Sequence, residues 1–261
     1  MADLDALRLD LADELADLDA IVASLDEAEW ATPTPAAGWD VRDAISHLAG
    51  SDAAAVLAAS DAEAFAARLP AAFADPQGFV QADVDRGRAL SGSAVLEWWR
   101  GERIRMLDVF ADLHPAQRIP WFGPPMGPAS FVTARLMETW AHGQDVADGL
   151  GVRRRPSHRL RHVADLGVRT RGFSYALRGR TPPDLAVRVE LRAPDGSTWT
   201  WGPGDATARV EASALDFCLL VTQRRHRHDI AVTAVGGAAD EWLTIAQAFA
   251  GLPSAGRAPI G

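Results

Sequence analysis

Apolar residues recur every three or four positions along four long stretches of the first 150 residues, and this spacing predicts amphipathic helices. The first stretch covers residues 3–25, and the second starts after Asp40, which is placed to cap it. The third covers residues 94–113. The fourth covers residues 129–151 and follows Pro128, whose missing N–H costs nothing at a helix start. Four such helices predict an α-helical bundle.

The segments between these helices carry weaker patterns. Residues 61–90 are rich in alanine and contain the turn sequence Asp75-Pro76-Gln77-Gly78, so we expect a connection with short helices. Residues 119–128 are dense in proline, glycine and aromatic residues, which predicts a rigid packed loop, and we expect no paired strands in residues 1–150. The basic segment at residues 152–180 contains a fifth predicted helix that Ser157 would cap.

The pattern changes to alternating apolar and polar residues after Pro182-Pro183. Alternation predicts strands at residues 185–191, 198–201, 206–210 and 230–235, and longer apolar runs predict helices at residues 214–223 and 240–250. Ser213 is placed to cap the first of these two helices. We therefore predict a helical bundle at residues 1–180 followed by a small α+β domain at residues 181–261.

Composition narrows the functional classes. The chain of 261 residues has 48% hydrophobic and 23% charged residues, as ordinary globular proteins do. No apolar run reaches the roughly 18 residues of a membrane span. A net charge of −9 argues against general nucleic-acid binding. The N-terminus lacks the basic segment of a secretory signal, and the single cysteine, Cys218, leaves no intramolecular disulfide, so we expect a cytoplasmic protein in which Cys218 is buried and unreactive.

The fourth helix carries the most distinctive chemistry. Glu138 and His142 interrupt its apolar stripe and are four residues apart, so their side chains share one face. Burying a carboxylate and an imidazole is costly without a partner, and a divalent metal such as zinc suits both groups. The alternative is a Glu–His hydrogen bond in the core or a partly exposed pair. A third ligand would favour the metal.

His47 is the candidate third ligand. It lies about two turns into the second helix, beside Ile45 and Leu48, and the helices of a bundle can bring side chains to one interior site. Three protein ligands would leave a coordination position for water or substrate, which is the pattern of a catalytic metal. Without a metal, His47 would be a hydrogen-bonded core histidine.

Two motifs around these residues resemble a known family. The segment Gly38-Trp39-Asp40-Val41-Arg42-Asp43-Ala44-Ile45-Ser46-His47-Leu48 is similar to the first-histidine motif of the DinB-like, mycothiol-dependent maleylpyruvate isomerase superfamily. Residues 135–146 resemble the second motif of that superfamily, and the order of a metal-binding bundle and a small α+β domain also fits. The sequence Trp-Phe-Gly-Pro-Pro-Met at residues 121–126 resembles an actinobacterial metal-binding branch of it.

The resemblance implies that His47, Glu138 and His142 bind a divalent metal, with zinc the first choice and nickel or iron also suitable. It implies mycothiol as a cosubstrate, whose thiol the metal would activate for transfer to, or isomerisation of, a small electrophilic substrate. In the resembled isomerase the second domain contributes an arginine to substrate binding, and Arg224 and Arg225 are the candidates for this role. The alternative is that both lie in solvent at the end of their helix, where their charge favours the helix dipole. A metal-dependent hydrolase or lyase that activates water, and a non-catalytic metal- or ligand-binding protein, remain as alternatives. We expect a small-molecule substrate, no nucleic-acid or membrane partner, and a monomer or a homodimer.

Overall fold

The computed structural model describes residues 3–260, and the chain forms two compact units, one ending at Arg154 and the other starting at Arg155. This division falls earlier than the boundary expected after residue 180, because the helices in residues 160–176 pack on later helices of the second unit. Within residues 3–260, no helix combines the length and the apolar character needed to cross a bilayer.

The first unit is a helical bundle with one short hairpin. Its elements are α1 (Leu4–Val22), α2 (Glu27–Trp30), α3 (Val41–Ser60), α4 (Ala62–Ala66), α5 (Leu69–Ala74), α6 (Pro76–Arg88), α7 (Gly92–Ala111), β1 (Ile119–Trp121), β2 (Gly123–Met126) and α8 (Pro128–Gly149). The long helices α1, α3, α7 and α8 are the four that the apolar spacing predicts. α3 packs on α7, α6 and α8, and α1 packs on α8 and α7. The bundle is thereby confirmed.

The ends of the long helices follow the expected capping chemistry. Asp3 accepts hydrogen bonds from the first turn of α1, and Ser91 accepts one from the first turn of α7. α8 has Pro128 at its first position and ends at Gly149. Between these ends, leucines of α1 at three- and four-residue spacing are buried, as an amphipathic helix requires.

The expectation of no paired strands in residues 1–150 is wrong. β1 and β2 form an antiparallel ribbon in which Ile119 pairs with Met126. Prolines are tolerated there because both strands of a two-stranded ribbon are edge strands. A proline whose nitrogen faces outward removes no hydrogen bond between the strands. The segment is nevertheless packed as expected: the ring of Trp121 lies 5.5 Å from that of Phe65 and 5.0 Å from that of Phe131.

The second unit is an α+β structure. Its elements are α9 (Leu160–Arg169), α10 (Arg171–Ala176), β3 (Val187–Arg192), β4 (Thr198–Trp201), β5 (Ala208–Ser213), α11 (Ala214–Val221), β6 (Val232–Val235) and α12 (Gly237–Ile245). The sheet order is β4-β3-β5-β6, with β3 and β5 parallel and the other neighbours antiparallel. Ser213 caps α11 as predicted. Ser157 does not cap α9, because that helix begins after Arg159 without a side-chain cap.

Candidate metal centre

The start of α3 fixes the position of His47. Asp40 Oδ1 accepts a hydrogen bond from the Asp43 backbone N–H at 2.8 Å, and Asp43 Oδ2 accepts one from the Asp40 N–H at 3.3 Å. This reciprocal pair is a capping box. Arg88 of α6 donates to both carboxylate oxygens of Asp43, at 2.9 and 2.7 Å. The first turn of α3 is therefore held on two sides, and His47 follows on the next turn.

α8 presents Glu138 and His142 on one face. His142 Nε2 lies 3.4 Å from Glu138 Oε2, and His142 Nδ1 lies 3.6 Å from Asp145 Oδ2, one turn further along the helix. His142 is buried and Glu138 is partly buried. Because α8 packs on α3, this face lies near the early turns of α3.

His47, Glu138 and His142 come together at one point. One potential ligand atom from each residue lies within 4.8 Å of the other two. The imidazole rings of His47 and His142 meet edge to face, with their centroids 4.7 Å apart. Two imidazoles and a carboxylate form a donor set that suits zinc or a similar divalent ion. The geometry thus fits a metal, and the role of the three residues as ligands stays a prediction.

Glu138 has the ionisation state that a metal ligand needs. Burial raises the pKa of Glu138, but the hydrogen bond and charge of His142, together with the charges of Arg135 and His47, outweigh burial and lower the pKa from 4.5 to about 2. Glu138 is therefore an anion at neutral pH, which is the form of a carboxylate that binds a cation.

Trp39 forms a wall beside the two imidazoles. Its ring centroid lies 5.2 Å from that of His47 and 5.8 Å from that of His142, with the latter pair stacked at 27°. The Trp39 carbonyl accepts hydrogen bonds from the N–H and the hydroxyl of Thr34, both at 2.9 Å, and Arg88 donates to the preceding carbonyl at 3.1 Å. Trp39 is thus held in place although it lies in a loop.

A buried ion pair joins the two helices that carry the cluster. Arg135 of α8 donates to Asp52 Oδ1 of α3 at 2.8 Å, and the side chains are 2% and 0% exposed. Burial raises the pKa of Asp52, and the charge of Arg135 opposes this effect. Arg135 lies one turn before Glu138, so the pair fixes the register of α8 against α3 at the site.

We did not predict Trp39, Asp52 or Arg135 as site residues from the sequence. Trp39 and Arg135 lie inside the two motifs that carry His47 and Glu138, so the motifs could have indicated that these residues belong to the site. Asp52 was a weaker one: it is a charged residue in a helix otherwise rich in alanine, and such a residue needs a partner when it is buried.

The remaining residues singled out from the sequence lie in the second unit. Arg224 and Arg225 follow α11 directly: Arg224 donates to the Thr222 carbonyl at 2.6 Å, and Arg225 donates to the Arg224 carbonyl at 2.8 Å. Their role in binding an anion stays a prediction. Cys218 is fully buried, as expected, with Sγ 3.4 Å from the Leu160 carbonyl, and burial raises the pKa of its thiol well above the ordinary value. Its thiol is therefore unsuited to nucleophilic chemistry.

The helical bundle with its cluster of two histidines and a glutamate places the chain in the DinB-like class of proteins. A family model described as the mycothiol maleylpyruvate isomerase N-terminal domain matches residues 11–147, and the chain belongs to that family. A second model, described as wyosine base formation, matches residues 183–235, which contain the sheet of the second unit.

The similarity to known proteins extends over nearly the whole chain. Uncharacterized proteins MT0041 and Rv0036c, from two strains of Mycobacterium tuberculosis, are each 50% identical over 257 residues, which is 98% of this chain and 100% of theirs. The crystal structure of the mycothiol-dependent maleylpyruvate isomerase has a TM-score of 0.62 at 14% identity, covering 89% of this chain and 92% of that chain. A histidine-to-alanine mutant of that isomerase gives a TM-score of 0.60. At this identity the structural likeness establishes the fold.

Proposed function

We propose that this protein is a divalent-metal enzyme of the mycothiol-dependent maleylpyruvate isomerase type, which uses a low-molecular-weight thiol on a small electrophilic substrate. The observation that supports the proposal most is the cluster of His47, Glu138 and His142 within 4.8 Å, in a chain that belongs to this family. The description of the matching family model names mycothiol, which supports mycothiol as the thiol. Zinc is the ion that the donor set suits best.

Each residue of the site has a defined task in this proposal. His47, Glu138 and His142 would hold the ion, and Glu138 brings a negative charge without first losing a proton, because its pKa is about 2. A bound zinc ion would lower the pKa of a thiol and favour the thiolate. Trp39 would shield both imidazoles from water on one side.

The chemistry of the cosubstrate explains how isomerisation would proceed. The thiolate sulfur would add to one carbon of a double bond conjugated with a carbonyl, and the π electrons would move onto the carbonyl oxygen as an enolate. The former double bond, now single, could then rotate. Collapse of the enolate would expel the thiolate and restore the double bond, so isomerisation would consume no thiol. Protonation of the enolate carbon with the sulfur still attached would instead make the reaction a transfer. We further propose that Arg224 or Arg225 binds the carboxylate of the substrate, since a guanidinium forms paired hydrogen bonds with a carboxylate.

Turnover of maleylpyruvate by zinc-loaded protein, with and without mycothiol, tests the proposal. We expect isomerisation that needs both zinc and the thiol. His142→Ala should lose zinc and activity. His158→Ala is the control: His158 is a histidine that does not belong to the ligand cluster, so this variant should retain both. Turnover without the thiol would support the hydrolase or lyase alternative, and zinc binding without turnover would support a binding protein. Wild-type protein that takes up no divalent ion would overturn the metal site.

The arginine proposal needs a separate measurement. Arg224→Ala and Arg225→Ala should leave the zinc content unchanged, because neither residue belongs to the ligand cluster. One of the two variants should raise KM for the anionic substrate. Unchanged KM in both variants would contradict a role for either arginine.

A further inference from the structure

We infer that Asp145 is a positioning residue, which accepts a hydrogen bond from His142 Nδ1–H and thereby turns His142 Nε2 toward the metal. This inference rests on the proposed metal site and adds a residue that determines how the site is built. It assigns different tasks to the two nitrogens of one imidazole.

The two ring nitrogens of His142 have different neighbours. Nε2 lies 3.4 Å from Glu138 Oε2, on the side of the three-residue cluster. Nδ1 lies 3.6 Å from Asp145 Oδ2. Glu138 lies one turn before His142 and Asp145 lies one turn after it, so the imidazole stands between two carboxylates of the same helix. Nε2 is therefore the nitrogen available to an ion at the cluster.

Burial strengthens the electrostatic attraction between Asp145 and the His142 ring. The Asp145 side chain is only 1% exposed, so water screens its attraction for the ring far less than at the surface. Trp39, stacked 5.8 Å away at 27°, limits the tilt of the same ring. The separation of 3.6 Å is longer than a hydrogen bond, which spans about 2.7–3.2 Å. Loading of a site commonly tightens such contacts.

Metal-bound histidines generally donate their second N–H to a carboxylate or a carbonyl, and loss of such a partner lowers metal affinity by about 10- to 100-fold. Asp145 has the position and the burial for this task. Asp148 provides a matched control on the same helix, because it accepts a hydrogen bond from Gln144 at 2.8 Å and lies two turns beyond His142. Both aspartates can be changed to asparagine with almost no change in size.

Zinc affinity of Asp145→Asn and Asp148→Asn, measured by competition with a chromophoric chelator, tests the inference. Asp145→Asn should weaken zinc binding by about 10- to 100-fold, and Asp148→Asn should leave it unchanged. Thermal unfolding of the metal-free proteins is the control for a merely structural role, and we expect it to change far less than the affinity. Wild-type affinity in Asp145→Asn, or equal losses in both variants, would overturn the inference.

Nitrogen-15 NMR of zinc-loaded wild-type protein gives a second test, which does not depend on whether a variant folds. We expect a proton on His142 Nδ1 and metal coordination through Nε2. Coordination through Nδ1 would overturn the inference even if zinc binds tightly. Wild-type protein that binds no zinc would instead refute the proposed function, so the two failures are distinguishable.

Discussion

Replacing Arg135 by methionine would leave the Asp52 carboxylate without its ionic partner in the core. The two side chains are 2% and 0% exposed, so water cannot take the place of the guanidinium. Removal of one member of a buried ion pair costs about 3–5 kcal/mol, compared with a total stability of about 5–15 kcal/mol for a typical protein. Met retains most of the apolar volume of Arg, so the cost reports the stranded charge and not a cavity.

The structure shows how this cost divides between the lost hydrogen bond and the unpaired carboxylate. Arg135 contacts Asp52 through a single hydrogen bond of 2.8 Å, and its Nε atom has no hydrogen-bond partner within residues 3–260. A charge-assisted bond accounts for about 1.5–3 kcal/mol, and the unpaired carboxylate accounts for the rest. Burial already raises the pKa of Asp52, and loss of Arg135 would raise it further. The penalty is therefore largest at high pH and decreases as the pH falls and Asp52 takes up a proton.

Urea unfolding of the wild type and Arg135→Met, at about pH 8 and about pH 5, would measure both effects. We expect a loss of about 3–5 kcal/mol at the higher pH and a smaller loss at the lower pH. The double variant with Asp52→Leu should recover most of the stability, because an apolar pair can replace a buried ion pair. A loss below about 1 kcal/mol in Arg135→Met, as for a surface ion pair, would refute the reasoning.

Three further predictions test other parts of the first unit. Asp83→Asn should stabilise the protein by about 1–2 kcal/mol at about pH 8 and little at about pH 4, because burial raises the pKa of Asp83 from 3.8 to about 6, its charge costs stability above that pH, and water screens part of that cost at this half-buried side chain. Equal changes in the free energy of unfolding at the two pH values, measured by urea unfolding, would contradict this prediction. Trp39→Ala should weaken zinc binding up to about tenfold through lost ring contacts, and Trp39→Phe should weaken it less; identical affinities in chelator competition would exclude the contribution. Gly92→Ala should cost about 1–3 kcal/mol, because its Cβ would lie 2.2 Å from Trp30 Cδ1. Gly101→Ala, with nothing within 4 Å, should stabilise the same helix by up to about 1 kcal/mol, and equal thermal shifts for the two variants would refute the packing.

Local signals in the sequence predicted the elements that carry the site. The apolar spacing and the cap at Asp40 place α3, and the four-residue spacing of Glu138 and His142 places both on one face of α8. These signals work because they act within one or two helical turns. The hairpin of β1 and β2 escaped prediction, since its prolines suggest a loop and its pairing depends on the aromatic packing around Trp121.

Contacts between helices were harder to predict from the sequence. Asp52 and Arg135 are 83 residues apart, and their pairing depends on how α3 and α8 rotate against each other. His47 was predicted to join Glu138 and His142 through the family resemblance as well as through its helix. The spacing alone could not exclude a hydrogen-bonded core histidine. Trp39 lies just before a helix, where no periodicity indicates which way a side chain points.

The placement of the three candidate ligands has a consequence for the lifetime of the protein. Glu138 and His142 lie on α8, whereas His47 lies on α3, about ninety residues earlier. An ion bound by all three would therefore close a long loop, and closing such a loop is entropically costly in the unfolded chain. Such an ion would bind the native state selectively and act as a reversible cross-link. Metal supply in the cell would then control the abundance of the protein as well as its chemistry, because a chain deprived of the ion would open more often and reach proteases sooner.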